Sequence, residues 1–169
     1  MGKTWFCKNL EDRMMIKHFS ASQLIKELKK DHFVDTNKSV KNIDDNQELL
    51  LSAISQYVDR DLPVILDGHF CLLNSEQEIK QVPKETFVSI SPFAIIALYD
   101  SIVNISKKIS NRDGVRYDFD LLSSFQDKEI KFSENIARYL RVPYLSFDAS
   151  DDISVVEDFI VKLLGKEFR

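Results

Sequence analysis

Pro63-Val64-Ile65-Leu66-Asp67-Gly68 is the stretch that sets the class of fold. Three consecutive apolar residues end in a carboxylate and a glycine, the pattern of a strand covered on both faces and finishing at a polar edge. Strands of that kind belong to parallel sheets wrapped by helices. After Pro92, the run Phe93-Ala94-Ile95-Ile96-Ala97-Leu98 repeats the pattern and is the best candidate for a central strand.

Working upstream from Pro63, the spacing of Trp5, Phe6, Asn9 and Leu10 predicts a helix over Trp5 to Asp12. Met14 to Phe19 suits a strand, and Ser20 or Ser22 is placed to cap a helix from Gln23 to Lys30. Asp44 or Asp45 opens a helix through Arg60, with Leu49, Leu50, Ala53, Ile54 and Tyr57 on one face. Downstream, Phe70 to Leu73 and Glu78 to Val82 flank Asn74 and Ser75, predicting a hairpin-like excursion over about 70–82. Lys84 to Ile90 is a short helix, and Phe87 and Phe93 are expected in the core. Asp100 or Ser101 caps a helix to about Ile109, followed by a polar, lid-like loop over about 110–118. Then come a long helix from Phe119 to Leu140, a strand from Val142 to Phe147, and a last helix from Ile153 to Leu164 that stops at Gly165. Alternation throughout predicts a single α/β domain over 1–169, with parallel strands joined by right-handed crossovers and helices on both faces of the sheet.

Composition agrees with this class. The chain has 169 residues, 44% hydrophobic and 30% charged, which excludes a disordered chain, a collagen and a disulfide scaffold. The apolar runs are far shorter than the ~20 residues of a membrane-spanning helix, and no signal peptide is legible, so the expected location is the cytoplasm. Lys and Arg total 23 against 27 Asp and Glu, a net charge of −4, which argues against a broad nucleic-acid surface. Cys7 and Cys71 lack a C-x-x-C spacing and read as buried thiols, and no structural metal is expected. Only four glycines occur, at 2, 68, 114 and 165, well under the usual share of ~7%.

In open α/β sheets ligands bind beyond the carboxyl ends of the strands. Those ends carry Ser20, Ser22 and Lys26 after the first strand, and Asp67 and His69 after the second. Arg112 and Arg116 lie in the polar loop, and Gly2, Lys3 and Thr4 open the first helix. Gly-Lys-Thr is the last third of the pattern G-x-x-x-x-G-K-[ST], in which backbone N–H groups cradle phosphates, Lys contacts them and the hydroxyl holds Mg²⁺. A strand-end carboxylate and two loop arginines are the other parts that phosphoryl transfer needs. No Ser or Cys is arranged with a base and an acid as a catalytic triad.

At these residues the chain resembles nucleoside-monophosphate kinases and adenylate-kinase-like P-loop proteins, from Gly2 to Leu164. His18-Phe19-Ser20-Ala21-Ser22-Gln23-Leu24-Ile25-Lys26 is similar to the adenylate kinase run His-Ile-Ser-Thr-Gly-Asp-Leu-Leu-Arg at the phosphate-acceptor site. Leu66-Asp67-Gly68-His69-Phe70 resembles Leu-Asp-Gly-Phe-Pro, and Asn111-Arg112-Asp113 resembles a lid Asn-Arg-Asp. Val64 to Leu73 looks most like a subgroup known simply as ATP-binding or AAA-family proteins. The resemblance implies a three-layer P-loop NTPase-like fold, the cofactors ATP and Mg²⁺, and transfer of the γ-phosphoryl group to a nucleotide or other small acceptor. It assigns Lys3 to the phosphates, Thr4 and Asp67 to the metal, Arg112 and Arg116 to transition-state charge, and Ser20, Ser22, Lys26 and His69 to the acceptor.

Three departures qualify the resemblance. The family's first strand, central in its sheet, and most of its glycine-rich loop have no counterpart, which reads as an N-terminal truncation that impairs function and accounts for the glycine shortage. Phe70 and Cys71 stand where the family has its Arg after Asp-Gly-Phe-Pro, and Ser106, Lys107 and Lys108 stand where related kinases carry Arg. The alternatives are a P-loop ATPase or regulatory nucleotide-binding module without an acceptor, and a degenerate, non-catalytic interaction protein. Oligomeric state is not legible.

Overall fold

Helices and strands are interspersed along the computed structural model, which describes residues 2–31, 43–74, 76–114 and 117–167. The chain divides into two units: Thr4–Ser91, and Pro92–Arg169 together with the residues up to Lys3.

The first unit opens with α1 (Lys3–Met14), β1 (Lys17–Ser20) and α2 (Ala21–Asp31). After α3 (Ile43–Tyr57) come β2 (Val64–Asp67), β3 (Cys71–Leu73), β4 (Ile79–Gln81) and α4 (Lys84–Ile90). The expected parallel pairing is present: β1 and β2 run side by side with Lys17 opposite Val64 and Ser20 opposite Asp67. Leu24 and Leu28, one helical turn apart on α2, meet Leu50, Ala53 and Ile54 of α3, with Phe19, Leu66 and Ile90 packed around them. Full burial of each such leucine contributes about 1.5–3 kcal/mol. The Tyr57 hydroxyl donates to the Asp31 carboxylate, joining the C-terminal ends of α3 and α2. That hydrogen bond is the main reason the phenol is pushed up to about 12.

Between β2 and α4, β3 and β4 pair antiparallel, Cys71 opposite Gln81 and Leu73 opposite Ile79. The Asn74 carboxamide oxygen accepts the backbone N–H groups of Glu76 and Glu78, closing the turn together with the backbone bond from Asn74 N–H to Glu78 C=O. Phe70 stacks on Phe87 with ring centroids 4.9 Å apart, fastening the hairpin to α4.

The second unit consists of β5 (Ile95–Tyr99), α5 (Ile102–Asp113), α6 (Phe119–Leu140), β6 (Tyr144–Asp148) and α7 (Ser154–Glu167). β5 and β6 are parallel, Ile95 opposite Tyr144 and Tyr99 opposite Asp148. Asp118 caps α6 by accepting the N–H groups of Asp120 and Leu121, and Phe132, Ile136 and Ala137 bury one face of that helix. Among the described residues no helix is long and apolar enough to cross a membrane.

Several expected boundaries shift for identifiable reasons. The first strand begins at Lys17, because α1 runs to Met14 and ends at Met15 in the left-handed region (φ 56°). Trp5 is 73% exposed, leaving Phe6 and Leu10 as the buried stripe of α1. Asp44 and Asp45 lie inside the first turn of α3, which stops at Tyr57 short of Arg60. Phe93 is half exposed, since β5 starts two residues later and the chain before it turns at Ser91 (φ 53°). Ser110 to Asp113, expected in the loop, continue α5, and the φ of 68° at Gly114 and its N–H to Ser110 C=O end the helix. Gly165 lies within α7 and does not terminate it.

Met15 is 89% exposed and holds a conformation that disfavours a side chain with a Cβ. Met15→Gly is expected to stabilise the protein by about 0.5–1 kcal/mol, read as a higher urea midpoint with an unchanged m-value.

Candidate functional site

The site of the first unit follows from two periodicities. Because β1 and β2 are parallel and in register at Ser20 and Asp67, both strands end at the same level and paired residues share a face. His18, two residues before Ser20, points to that same face. On α1, Thr4 and Cys7 are three residues apart and lie on one side of the helix. The Thr4 hydroxyl donates to Asp67 Oδ2 over 2.9 Å, tying the first turn of α1 to the end of β2. His18 Nε2 is 3.9 Å from the same carboxylate oxygen, with both side chains nearly enclosed. The His18 N–H donates to Glu11 Oε1 over 3.1 Å, which links the start of β1 to α1.

Beside this cluster, Ser20 is buried and its Oγ lies 3.1 Å from that of Ser22. Ser20 and Asp67 are therefore brought together by strand pairing, and Thr4 joins them through its hydroxyl. Lys26 and His69 are exposed, Lys26 on α2 and His69 just beyond Gly68. Gly2 is left-handed at φ 69°, and a Cβ there would stand 3.3 Å from Lys108 Nζ. Lys3 begins α1 with its ammonium shielded from solvent. Arg112 lies in the last turn of α5, not in a loop, and Arg116 lies outside the described residues.

The oxygen pair passes a geometric test for Mg²⁺. Neighbouring ligands of an octahedral Mg²⁺ with bonds of about 2.1 Å stand about 3.0 Å apart. Thr4 Oγ1 and Asp67 Oδ2 stand 2.9 Å apart. Thr4 lies in the first turn of the 12-residue α1, whose opening backbone N–H groups form the kind of helix terminus that favours anions.

The second unit holds a polar centre that the sequence reading treated only as a cap. Ser101 is the cap of α5, accepting the N–H of Asn104. Asp100, following β5 and 4% exposed, accepts from Lys108 Nζ (2.7 Å), Asn104 Nδ2 (2.9 Å) and the Ser101 N–H (2.7 Å). Gln126 of α6 bonds both the N–H and the C=O of Asp100. Burial raises the Asp100 pKa, but the bonds from Lys108, Asn104 and Ser101 outweigh it and hold the carboxyl below its ordinary value. A carboxylate depressed in this way stabilises the fold above about pH 4 and loses that contribution as pH falls through its lowered pKa. Asp100→Ala is expected to cost about 1–3 kcal/mol at pH 7, the gap from wild type narrowing below about pH 4 in urea denaturation.

His18 and Cys7 were not among the expected site residues. The signals for them were the period-2 step from Ser20 back to His18 and the three-residue step from Thr4 to Cys7, both of which need the β1–β2 register to acquire meaning.

Comparison with known proteins matches residues 1–125 to the AAA domain family. No curated protein matches. Among solved structures, a gluconokinase from Sinorhizobium meliloti 1021 is 15% identical, with a TM-score of 0.51, covering 98% of this chain and 86% of its own. That likeness establishes a shared α/β fold. With about three quarters of its length matched, the chain belongs to the AAA domain family.

Proposed function

We propose that this protein is a P-loop kinase-like phosphotransferase that binds ATP and Mg²⁺ and transfers the γ-phosphoryl group to a nucleotide or other small acceptor. The observation that carries the reading is the 2.9 Å contact of Thr4 with Asp67, where the last residues of a phosphate-binding pattern meet a strand-end carboxylate. Membership of the AAA domain family and the fold shared with a kinase support it. Mg²⁺, when bound, neutralises phosphate charge; Thr4 and Asp67 are the residues that would hold it. Lys3 places a positive charge at the helix terminus that the phosphates would face, and the resemblance to P-loop kinases assigns Arg112 and Arg116 to the charge of the transferring group. Ser20 and Ser22 lie at the adjacent strand end and orient the acceptor, with Lys26 and His69 at its outer rim.

We further propose a three-layer arrangement in which the family's first strand and glycine-rich loop complete the sheet. Gly2, Lys3 and Thr4 are three positions of the eight-residue pattern, and supplying a strand and Gly-x-x-x-x upstream is expected to tighten nucleotide binding. The second reading is a nucleotide-binding ATPase module without an acceptor, favoured by the exposure of Lys26 and His69. Phosphoryl transfer assayed over nucleoside monophosphates and small hydroxylated metabolites separates the two, since the module hydrolyses ATP at a rate that no acceptor changes.

Mg-ATP is expected to raise the melting temperature of the upstream-extended chain, and Lys3→Ala to abolish that rise while leaving the ligand-free melting temperature in place. Asp67→Asn is expected to weaken Mg-ATP binding about 10- to 100-fold, in keeping with loss of a charge-assisted contact. A melting temperature indifferent to nucleotide in the extended chain would overturn the reading.

A further inference from the structure

We propose that Cys7, His18 and Asp67 form a binding site for a thiophilic divalent cation of the Zn²⁺ class. The thiol, an imidazole nitrogen and a carboxylate oxygen all lie within 4.8 Å of one another. His18 Nε2 is buried, its side chain 7% exposed, and it has no hydrogen-bond partner. An imidazole nitrogen enclosed in protein without a partner is costly, and a metal bond removes that cost.

The donor set decides which ion fits. Mg²⁺ and Ca²⁺ take oxygen ligands, whereas one sulfur, one nitrogen and one oxygen are the ligand types of Zn²⁺ and its relatives. Tetrahedral bonds of about 2.0–2.3 Å set neighbouring ligand atoms roughly 3.3–3.6 Å apart. His18 Nε2 and Asp67 Oδ2, at 3.9 Å, need to close by a few tenths of an ångström, and the full set, within 4.8 Å, reaches bonding distance by side-chain adjustment of up to roughly an ångström. Three protein ligands leave a fourth position for water or a ligand atom, the pattern of an open rather than a closed zinc site. The ligands come from α1, β1 and β2, so a bound ion links three elements of one unit. The site does not rest on nucleotide binding. It shares Asp67 with the oxygen pair proposed for Mg²⁺, while Cys7 and His18 belong to it alone.

The test is titration of the reduced, metal-free 169-residue chain with Co²⁺ as the probe. The expected result is a thiolate-to-cobalt charge-transfer band in the near ultraviolet and visible bands of four-coordinate intensity, saturating at one ion per chain and erased by Zn²⁺. Cys7→Ser is expected to remove the charge-transfer band, His18→Gln to weaken Co²⁺ binding by about tenfold or more, and Cys71→Ser to change neither, with circular dichroism confirming each fold. Should Cys7→Ser or His18→Gln not fold, cadmium NMR of the unaltered chain reads the ligand set directly, with a shift for one sulfur plus nitrogen and oxygen expected. Absence of the charge-transfer band in the unaltered chain, its survival in folded Cys7→Ser, or an all-oxygen cadmium shift would overturn the proposal. Lys3→Ala is expected to leave the cobalt spectrum untouched, so failure of the nucleotide reading and failure of the metal site give different results.

Discussion

The in-register parallel pairing of Lys17–Ser20 with Val64–Asp67 is the constraint on which the candidate site depends. In a parallel pair the register fixes both where the strands end and which side chains share a face, and a slip of one residue would turn every side chain to the other side. With Ser20 opposite Asp67, the carboxylate finishes next to a buried hydroxyl and one diagonal step from His18. Only then does the first turn of α1 bring Thr4 to the same oxygen. The hydrophobic residues of the pair, Phe19 and Leu66, pack on the opposite face against the α2 and α3 leucines, so the apolar side holds the register that the polar side uses.

Asp67 and Asp100, each at the end of a strand, are used in contrasting ways. Asp100 is surrounded by donors: an ammonium, a carboxamide and a backbone N–H bond it, and Gln126 holds its backbone. A buried carboxylate so provided for is a structural joint between β5, α5 and α6, and its charge is stabilised in place. Asp67 meets a threonine hydroxyl and a nearby imidazole, groups that also accept or ligate. Hydroxyl, imidazole and thiol are groups that can also serve as cation ligands. The difference between these aspartates lies wholly in their neighbours, since each follows a run of apolar residues in the sequence.

Much of the element order was legible because it rests on local chemistry. The apolar run at Val64–Leu66, the stripe on α3, and Ser101 ahead of α5 each carry their signal within a few residues. The shifted boundaries had a different origin. Phe93 reads as core by composition, yet it sits ahead of the strand, where Ser91 turns the chain, and half of it faces solvent. Ser110 to Asp113 read as a loop by polarity, but α5 runs on through them as its last turn and Gly114, in the left-handed conformation, fixes its end. Gly165 looked like a stop, although a glycine stops a helix only where it adopts the left-handed conformation, and Gly114 and Gly2 are the described glycines that do.

The sequence by itself determined the α/β class and the parallel character of β1, β2, β5 and β6, and it put Thr4, Ser20 and Asp67 at the ends of their helix and strands. These follow from periodicity, from buried strand composition and from a motif with a known mechanical reason. Only the tertiary structure decided that Thr4 bonds Asp67, that His18 and Cys7 stand beside them, and that Asp100 with Lys108 forms a separate polar centre. Cys7, His18 and Asp67 are far apart along the chain, and no local pattern encodes their meeting. The physical reason is register: side-chain direction is set locally by the helix and strand periods, but which directions converge is set by how β1, β2 and α1 pack.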